Sequence, residues 1–366
     1  MNNRRNWLKQ VGLGIAGLGL SSFDSVSFDE NFSLQHAFDE DTIFLSSNEN
    51  PYGPSPMAKN AMIESLSKSN RYGMEITMQL ARALAEKNQV SSDNIIMSPG
   101  SSAILDIVAR FAGMQKGNFV TAEPTFNYWG SVAEALGLKK IGVSLTDDKK
   151  HDLDTILKAI TSETRLVYVC NPNNPTGTIC EHEELKSFIE RASQNALVLL
   201  DEAYLEFTDE KSMTAMVKTN KNLIIAKTFS KIYGLAGARI GYALAHSDTI
   251  KKLKQLQTWA GIALSVVSSS AALASLNDNT FIDSTRNFNK DARTYAITEL
   301  ERIGIPCIPS YTNFIYFSLK DYEKDFFQQL KAANIIGTRI YETEGEWSRI
   351  TVGTMDEMKA LSKALG

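Results

Sequence analysis

At 366 residues the chain is longer than one hydrophobic core usually serves, so two subdomains are expected. With 38 basic against 42 acidic residues its net charge is -4, which argues against nucleic acid as the main partner. Three scattered cysteines (Cys170, Cys180, Cys307) and four histidines without an H-E-x-x-H pattern give a protein-bound metal no ligand set, and the thiols read as buried and free.

The first stretch with a pattern is RRNWLKQVGLGIAGLGL, residues 4–20. It contains Gly12-x-Gly14-x-x-Gly17, the spacing of a dinucleotide-binding turn. That turn needs a buried strand before its first glycine, and Arg4 to Gln10 is not one. A charged head, an apolar run from Val11 to Leu20 and small polar residues after it fit an export signal better. Asn3-Arg4-Arg5-Asn6-Trp7-Leu8-Lys9 resembles the twin-arginine type, with Trp7 where that pattern usually has Phe. The run is short for a membrane span, so no stable span is expected, and no clean A-x-A cleavage site follows. Cleavage and retention as an anchor both stay open, and the alternative is an N-terminal helix of a cytoplasmic protein. Residues 1–30 are therefore read as export signal and linker.

Residues 31–60 read as an N-terminal arm, because Leu45 to Met57 is rich in Asn, Pro and Gly. Ser65-x-x-Lys68 matches one serine-acylase motif, but its K-T-G companion does not occur. From residue 75 onward, helical patterns alternate with the short apolar runs Asn94–Met97, Asn118–Ala122, Leu166–Cys170, Ala196–Leu200 and Leu223–Ala226. That alternation predicts a large α/β domain over 61–280, with a mostly parallel, doubly wound sheet. Helices are expected over Asp248–Thr258, Ser265–Leu276 and Phe281–Ile303. Strand-like Thr312–Leu319, helical Lys324–Ala333 and strand-like Trp347–Val352 then give a smaller α+β domain over 281–366.

Ligands of open parallel sheets bind beyond the carboxyl ends of the strands. Reactive side chains gather at those ends: Ser101 and Ser102, Phe126, Asn174, Asp201 with Tyr204, and Thr228, Ser230 and Lys231. Lys231 stands among hydroxyls and glycines in TFSKIYGLAGARIGY, residues 228–242, with Arg239 eight positions on. An accessible neutral lysine forms a Schiff base with a carbonyl. Thr228, Ser230, Arg239 and the helix start after Gly100 suit a phosphate. Asp201, closing an apolar strand, calls for a buried cation such as a protonated pyridine nitrogen.

These motifs, in this order, resemble fold-type I pyridoxal-phosphate aminotransferases, specifically the histidinol-phosphate aminotransferase-like group, over about Leu45 to Met355. Asn48-Glu49-Asn50-Pro51-Tyr52-Gly53-Pro54 resembles the group's entrance arm, with Asn50 toward the substrate. The resemblance implies pyridoxal 5′-phosphate as cofactor, Lys231 as its covalent and proton-shuttling lysine, and Asp201 on the pyridinium. It implies Asn174 and Tyr204 on the 3′-oxygen and Phe126 stacked on the ring. Ser101, Ser102, Thr228, Ser230 and Arg239 would hold the phosphate, with Tyr72 reaching it from the neighbouring subunit of a homodimer with shared active sites. Arg349, and Arg339 near a second arginine of the group, would hold the substrate's carboxylate or phosphate. Ser102-Ala103 stands where many relatives have Asp-Glu, and Phe126 where tyrosine is common.

The expected activity is amino transfer from an amino acid, or a histidinol-phosphate-like amine, to a 2-oxo acid. A decarboxylase of the threonine-phosphate type and a non-catalytic cofactor-binding module are the alternatives. A twin-arginine route carries folded, cofactor-loaded proteins, so the export signal places the enzyme in the periplasm or outside. Histidinol phosphate is a cytoplasmic intermediate, so export also weighs toward some other amino acid.

Overall fold

A computed structural model describes residues 41–257 and 264–366, and the expectations for residues 1–30 and for the first part of the arm lie outside them. In chain order the strands are β1 (Ile43–Phe44), β2 (Ile95–Ser98), β3 (Gly117–Glu123), β4 (Leu138–Ser144), β5 (Thr164–Cys170), β6 (Leu197–Asp201), β7 (Leu223–Thr228), β8 (Gly241–Ala245), β9 (Cys307–Ile308), β10 (Phe314–Ser318), β11 (Ile335–Ile336), β12 (Ile340–Glu342) and β13 (Trp347–Thr351). The helices are α1 (Pro56–Ser65), α2 (Met74–Lys87), α3 (Ser101–Ala112), α4 (Gly130–Ala135), α5 (Leu153–Ala159), α6 (His182–Ala192), α7 (Ser247–Leu256), α8 (Val266–Leu276), α9 (Asn279–Arg302), α10 (Phe326–Ala332) and α11 (Met355–Leu365).

Seven strands form the main sheet in the order β2-β8-β7-β6-β5-β3-β4. Six run parallel, and β8 alone is reversed, between β7 and β2. Both faces are covered. Val167, Val169, Val198, Leu200 and Ile225 pack into one apolar core, while Leu166, Tyr168, Leu199 and Ile224 pack into the other. Such strands read as unbroken apolar runs, because neither side of the pleat meets water. The same alternation carries Asp201 onto the Tyr168 face and its neighbour Glu202 onto the opposite one.

The second sheet, β12-β13-β10-β9, is antiparallel and shares an apolar core with α9, α10 and α11. The arm is tied to it: β1 pairs with β11, and the Thr351 N–H donates to the Leu45 carbonyl at 2.9 Å. Residues Ile43–Gly366 hold together as one unit. The five apolar runs of the large domain form β2, β3, β5, β6 and β7, while β4 and β8 went unread. β4 is an edge strand largely open to solvent, with Lys139 and Lys140 both exposed, and β8 is a short run of small residues after a glycine-rich loop.

Candidate active site

The carboxyl ends of β5, β6 and β7 and the turn after β2 converge on one edge of the main sheet. Asp201 closes β6 and is 2 % exposed. Its Oδ2 accepts from the Tyr168 hydroxyl at 3.1 Å and its Oδ1 from the Ala203 N–H at 3.1 Å. Among the described residues it forms no ion pair, and burial pushes its carboxyl up to about 6. Such a carboxylate is stabilised by a cation of matching shape.

Lys231 follows β7 at the tip of a tight turn. Its Nζ donates to the Ser47 and Asn48 carbonyls at 3.2 and 3.1 Å and lies 5.5 Å from the Tyr204 ring centre. Burial, with the Arg349 guanidinium second, lowers its amine to about 8. About a tenth of the molecules then carry a neutral, nucleophilic amine at pH 7.

An anion cradle lies between this turn and the start of α3. Thr228 donates through Oγ1 to Ser230 Oγ at 3.0 Å, and Arg239 Nη1 lies 3.5 Å from that same Ser230 oxygen. Gly100, at φ 81°, caps α3 without any side-chain acceptor, so the first N–H groups of the helix stay available. Glycine suits this position because φ 81° with ψ 160° is backbone that L side chains rarely adopt, and a Cβ would also press on the Arg239 guanidinium. The Ser102 carbonyl accepts from the Tyr128 hydroxyl at 2.6 Å, and the Tyr128 ring pairs with Phe126 at 5.3 Å. Ser102 and Phe126 therefore belong to the same corner.

Opposite Lys231, Arg349 on β13 is 7 % exposed. Its Nη1 donates to Asn174 Oδ1 at 2.6 Å and its Nη2 to the Ser46 carbonyl at 2.7 Å, leaving Nε buried without a partner. Its guanidinium lies 5.1 Å from the Tyr341 ring centre, and that of exposed Arg339 lies 5.4 Å from the same ring. Asn50 is committed to the fold through Nδ2 to the Ile232 carbonyl at 2.8 Å and Oδ1 from the Tyr52 N–H at 3.1 Å. It pins the arm to the turn that bears Lys231. Tyr72 is 74 % exposed.

Three contributors escaped the sequence reading. Tyr168 is hidden in an apolar run, and only the two-residue period from Cys170 puts it on the Asp201 face. Asn48 joins the arm to Tyr204 with a 3.0 Å bond from its Nδ2. On the other face of the sheet, Lys227 Nζ meets Glu202 at 2.9 Å and Glu206 at 3.0 Å, directly beneath Asp201 and Thr228.

A recessed lysine, a buried carboxylate without a cation and a glycine-lined anion cradle, all at one sheet edge, define a fold-type I pyridoxal-phosphate transferase. The sequence profile of the aminotransferase class I and II family matches residues 40–365, so the chain belongs to that family and is a pyridoxal-phosphate-dependent aminotransferase. It is 35% identical over 332 residues to the histidinol-phosphate aminotransferase of Moorella thermoacetica, covering 89% of this chain and 85% of that protein. With the Bacillus subtilis (strain 168) histidinol-phosphate aminotransferase it shares 34% over 323 residues, 86% of this chain and 88% of the relative. Among solved structures, the Sinorhizobium meliloti histidinol-phosphate aminotransferase in complex with pyridoxal-5′-phosphate superposes with a TM-score of 0.83 at 26% identity, covering 96% of this chain and 95% of that one.

The residues present fit the cofactor. Asp201 offers an anion to the ring nitrogen, Arg239 with Thr228, Ser230 and the α3 N-terminus offers donors to the phosphate, and Lys231 offers the amine. When bound, the cofactor supplies an electron-withdrawing ring at the substrate's reacting carbon.

Proposed function

We propose that this aminotransferase takes its amino group from an amine that carries an anionic group, histidinol phosphate being the first to test, and delivers it to a 2-oxo acid at Lys231. The observation behind this reading is that Arg349 and Arg339 flank one aromatic ring, Tyr341, opposite the lysine. Arg349, with Nε unpaired in a buried setting, is poised to bind a carboxylate or phosphate oxygen, and exposed Arg339 extends the same positive surface. The names of the relatives support the phosphorylated donor.

In this reading Lys231 Nζ carries the proton between the substrate's reacting carbon and the cofactor, Asp201 keeps the ring nitrogen protonated, and Asn174 and Tyr204 serve the phenolic oxygen. Phe126 packs on the ring, and Ser101, Ser102, Thr228, Ser230 and Arg239 hold the phosphate. The test is a donor panel under single-turnover conditions: anionic amines should be consumed in preference to neutral ones, and equal use of both would refute the proposal.

We further infer a homodimer with shared sites. Met57, Ile63, Leu66, Tyr72, Met74 and Met78 leave large apolar side chains exposed within one 22-residue stretch of α1, α2 and their connection. Light scattering should give twice the chain mass. Mixing Lys231→Ala with Tyr72→Ala chains should restore part of the activity if Tyr72 crosses between subunits; no restoration would refute shared sites.

For location we propose export by the twin-arginine-type signal of residues 3–20, supported by that sequence pattern alone. Cell fractionation decides it, and with it the natural donor. An exported protein would meet an anionic amine other than histidinol phosphate, whereas full-length protein confined to the cytoplasm would contradict export.

A further inference from the structure

Asn48 sits where the arm crosses the active site, 2 % exposed and in the left-handed backbone region at φ 54°. Each of its polar atoms is engaged. Its N–H donates to Thr351 Oγ1 at 2.8 Å, and its carbonyl accepts from Asn313 Nδ2 at 3.0 Å and from Lys231 Nζ at 3.1 Å. Its Oδ1 lies 3.2 Å from Thr351 Oγ1 and its Nδ2 lies 3.0 Å from the Tyr204 oxygen.

This network fixes which way the amide points. Thr351 Oγ1 accepts from the Asn48 N–H, and among the described residues the only acceptor for its own proton is the side-chain oxygen of Asn48; a reversed amide would leave that proton unused. The nitrogen end of the amide therefore faces Tyr204, and nitrogen there can only donate. The Tyr204 oxygen becomes the acceptor in that bond and keeps its own proton free. Among the described residues the Tyr204 hydroxyl makes no other hydrogen bond, and its ring lies under Lys231 Nζ.

We propose that Asn48 is a positioning residue: with its amide locked by Thr351, it turns the Tyr204 hydroxyl into a donor aimed at the phenolic oxygen of the cofactor. A donor on that oxygen stabilises its anionic form. With the cofactor held by Lys231, the charge on that oxygen would set how tightly the lysine nitrogen holds a proton. Asn48 thus acts on the lysine nitrogen through Tyr204. The charged groups facing Tyr204 are Arg349 and Asp201, beside the Cys170 thiol, and those facing Lys231 are Arg349, Glu49, Arg239 and Asp201. The assignment rests on the cofactor site described above.

The experiment is a pH titration of the visible absorbance band of the cofactor-loaded protein, which reads the lysine nitrogen without turnover. Asn48→Gly removes the amide without strain at positive φ. It is expected to raise the titration midpoint by on the order of one pH unit, the scale of one hydrogen bond to a charged group. Tyr204→Phe should raise it at least as far, and the Asn48→Gly/Tyr204→Phe double variant should go no further than Tyr204→Phe alone. Thr351→Val, which keeps Asn48 but frees its amide to turn, should give a smaller rise in the same direction and guards against poor folding of the Asn48 variant. An unchanged midpoint in the Asn48 and Thr351 variants that hold cofactor would overturn the proposal, as would additive shifts in the double variant. If the wild-type protein develops no visible band, the cofactor site itself is refuted, and this assignment with it.

Discussion

Arg349 Nη1 donates to Asn174 Oδ1 across 2.6 Å, joining the second sheet to the loop after β5. The guanidinium is held on a second side by the Ser46 carbonyl at 2.7 Å and between the rings of Phe314 and Tyr341, so it is preset before any substrate arrives. A lysine cannot reproduce two planar donors and a stacked face. Arg349→Lys should lower kcat/KM about 100-fold, about 2.7 kcal/mol, while cofactor uptake stays as in the wild type. Steady-state kinetics beside a cofactor titration check both halves.

Lys231 reacts with the cofactor only as the neutral amine, and its burial brings that form into reach near pH 8. The second-order rate of cofactor capture by the empty protein should rise close to tenfold between pH 6 and 7 and level off above about pH 8. A stopped-flow series at constant ionic strength measures it. A rate still climbing at pH 10 would mean the amine behaves as an ordinary exposed lysine.

Asp201 in the cofactor-free protein has a carboxyl raised to about 6 by burial, above its unfolded value near 3.8. An acid raised in this way stabilises the fold when protonated, and that contribution is lost as pH rises from about 4 through about 6. The isosteric Asp201→Asn should therefore be more stable than wild type at pH 8, by no more than about 3 kcal/mol, with the advantage shrinking toward pH 4. Added cofactor should stabilise wild type much more than the variant. Calorimetry across pH, with and without cofactor, reads all of this.

Lys227 and Glu202 pair on the far face of the sheet, at 5 % and 2 % exposure. Glu202 also accepts from the Ser212 hydroxyl at 2.6 Å and the Met213 N–H at 3.0 Å, so it cannot turn to solvent. Lys227→Met leaves that carboxylate buried without its cation and should cost 3–5 kcal/mol of stability, on the order found for broken buried pairs. Lys227→Met combined with Glu202→Gln should recover much of the loss. Urea denaturation of the single and double variants decides it.

Much of the fold was legible because strands buried on two faces leave apolar runs and their ends leave polar clusters. TFSK after β7 and DEAY after β6 carried both signals. β8 left neither: it is five residues long, rich in alanine and reversed within a parallel sheet, and nothing local distinguishes it from the loop before it. Lys231, Asp201 and Arg239 stood out as residues of unusual chemistry at strand ends. Asn48 did not, because an asparagine in an Asn-Pro-Gly segment reads as turn chemistry, and its partners Tyr204, Asn313 and Thr351 are 156 to 303 residues away. Lys227 read as one more strand residue, since its carboxylate partner comes from a neighbouring strand end.

The most direct test of the central claim is a single-turnover experiment in which cofactor-loaded protein is mixed with histidinol phosphate and with a panel of amino acids, no oxo acid being present. The wild-type protein should lose its visible band with an anionic donor as its cofactor takes up the amino group, and release one equivalent of the donor's oxo product, while Lys231→Ala should not. Conversion by Lys231→Ala at the wild-type rate would remove Lys231 from the reaction and contradict the account.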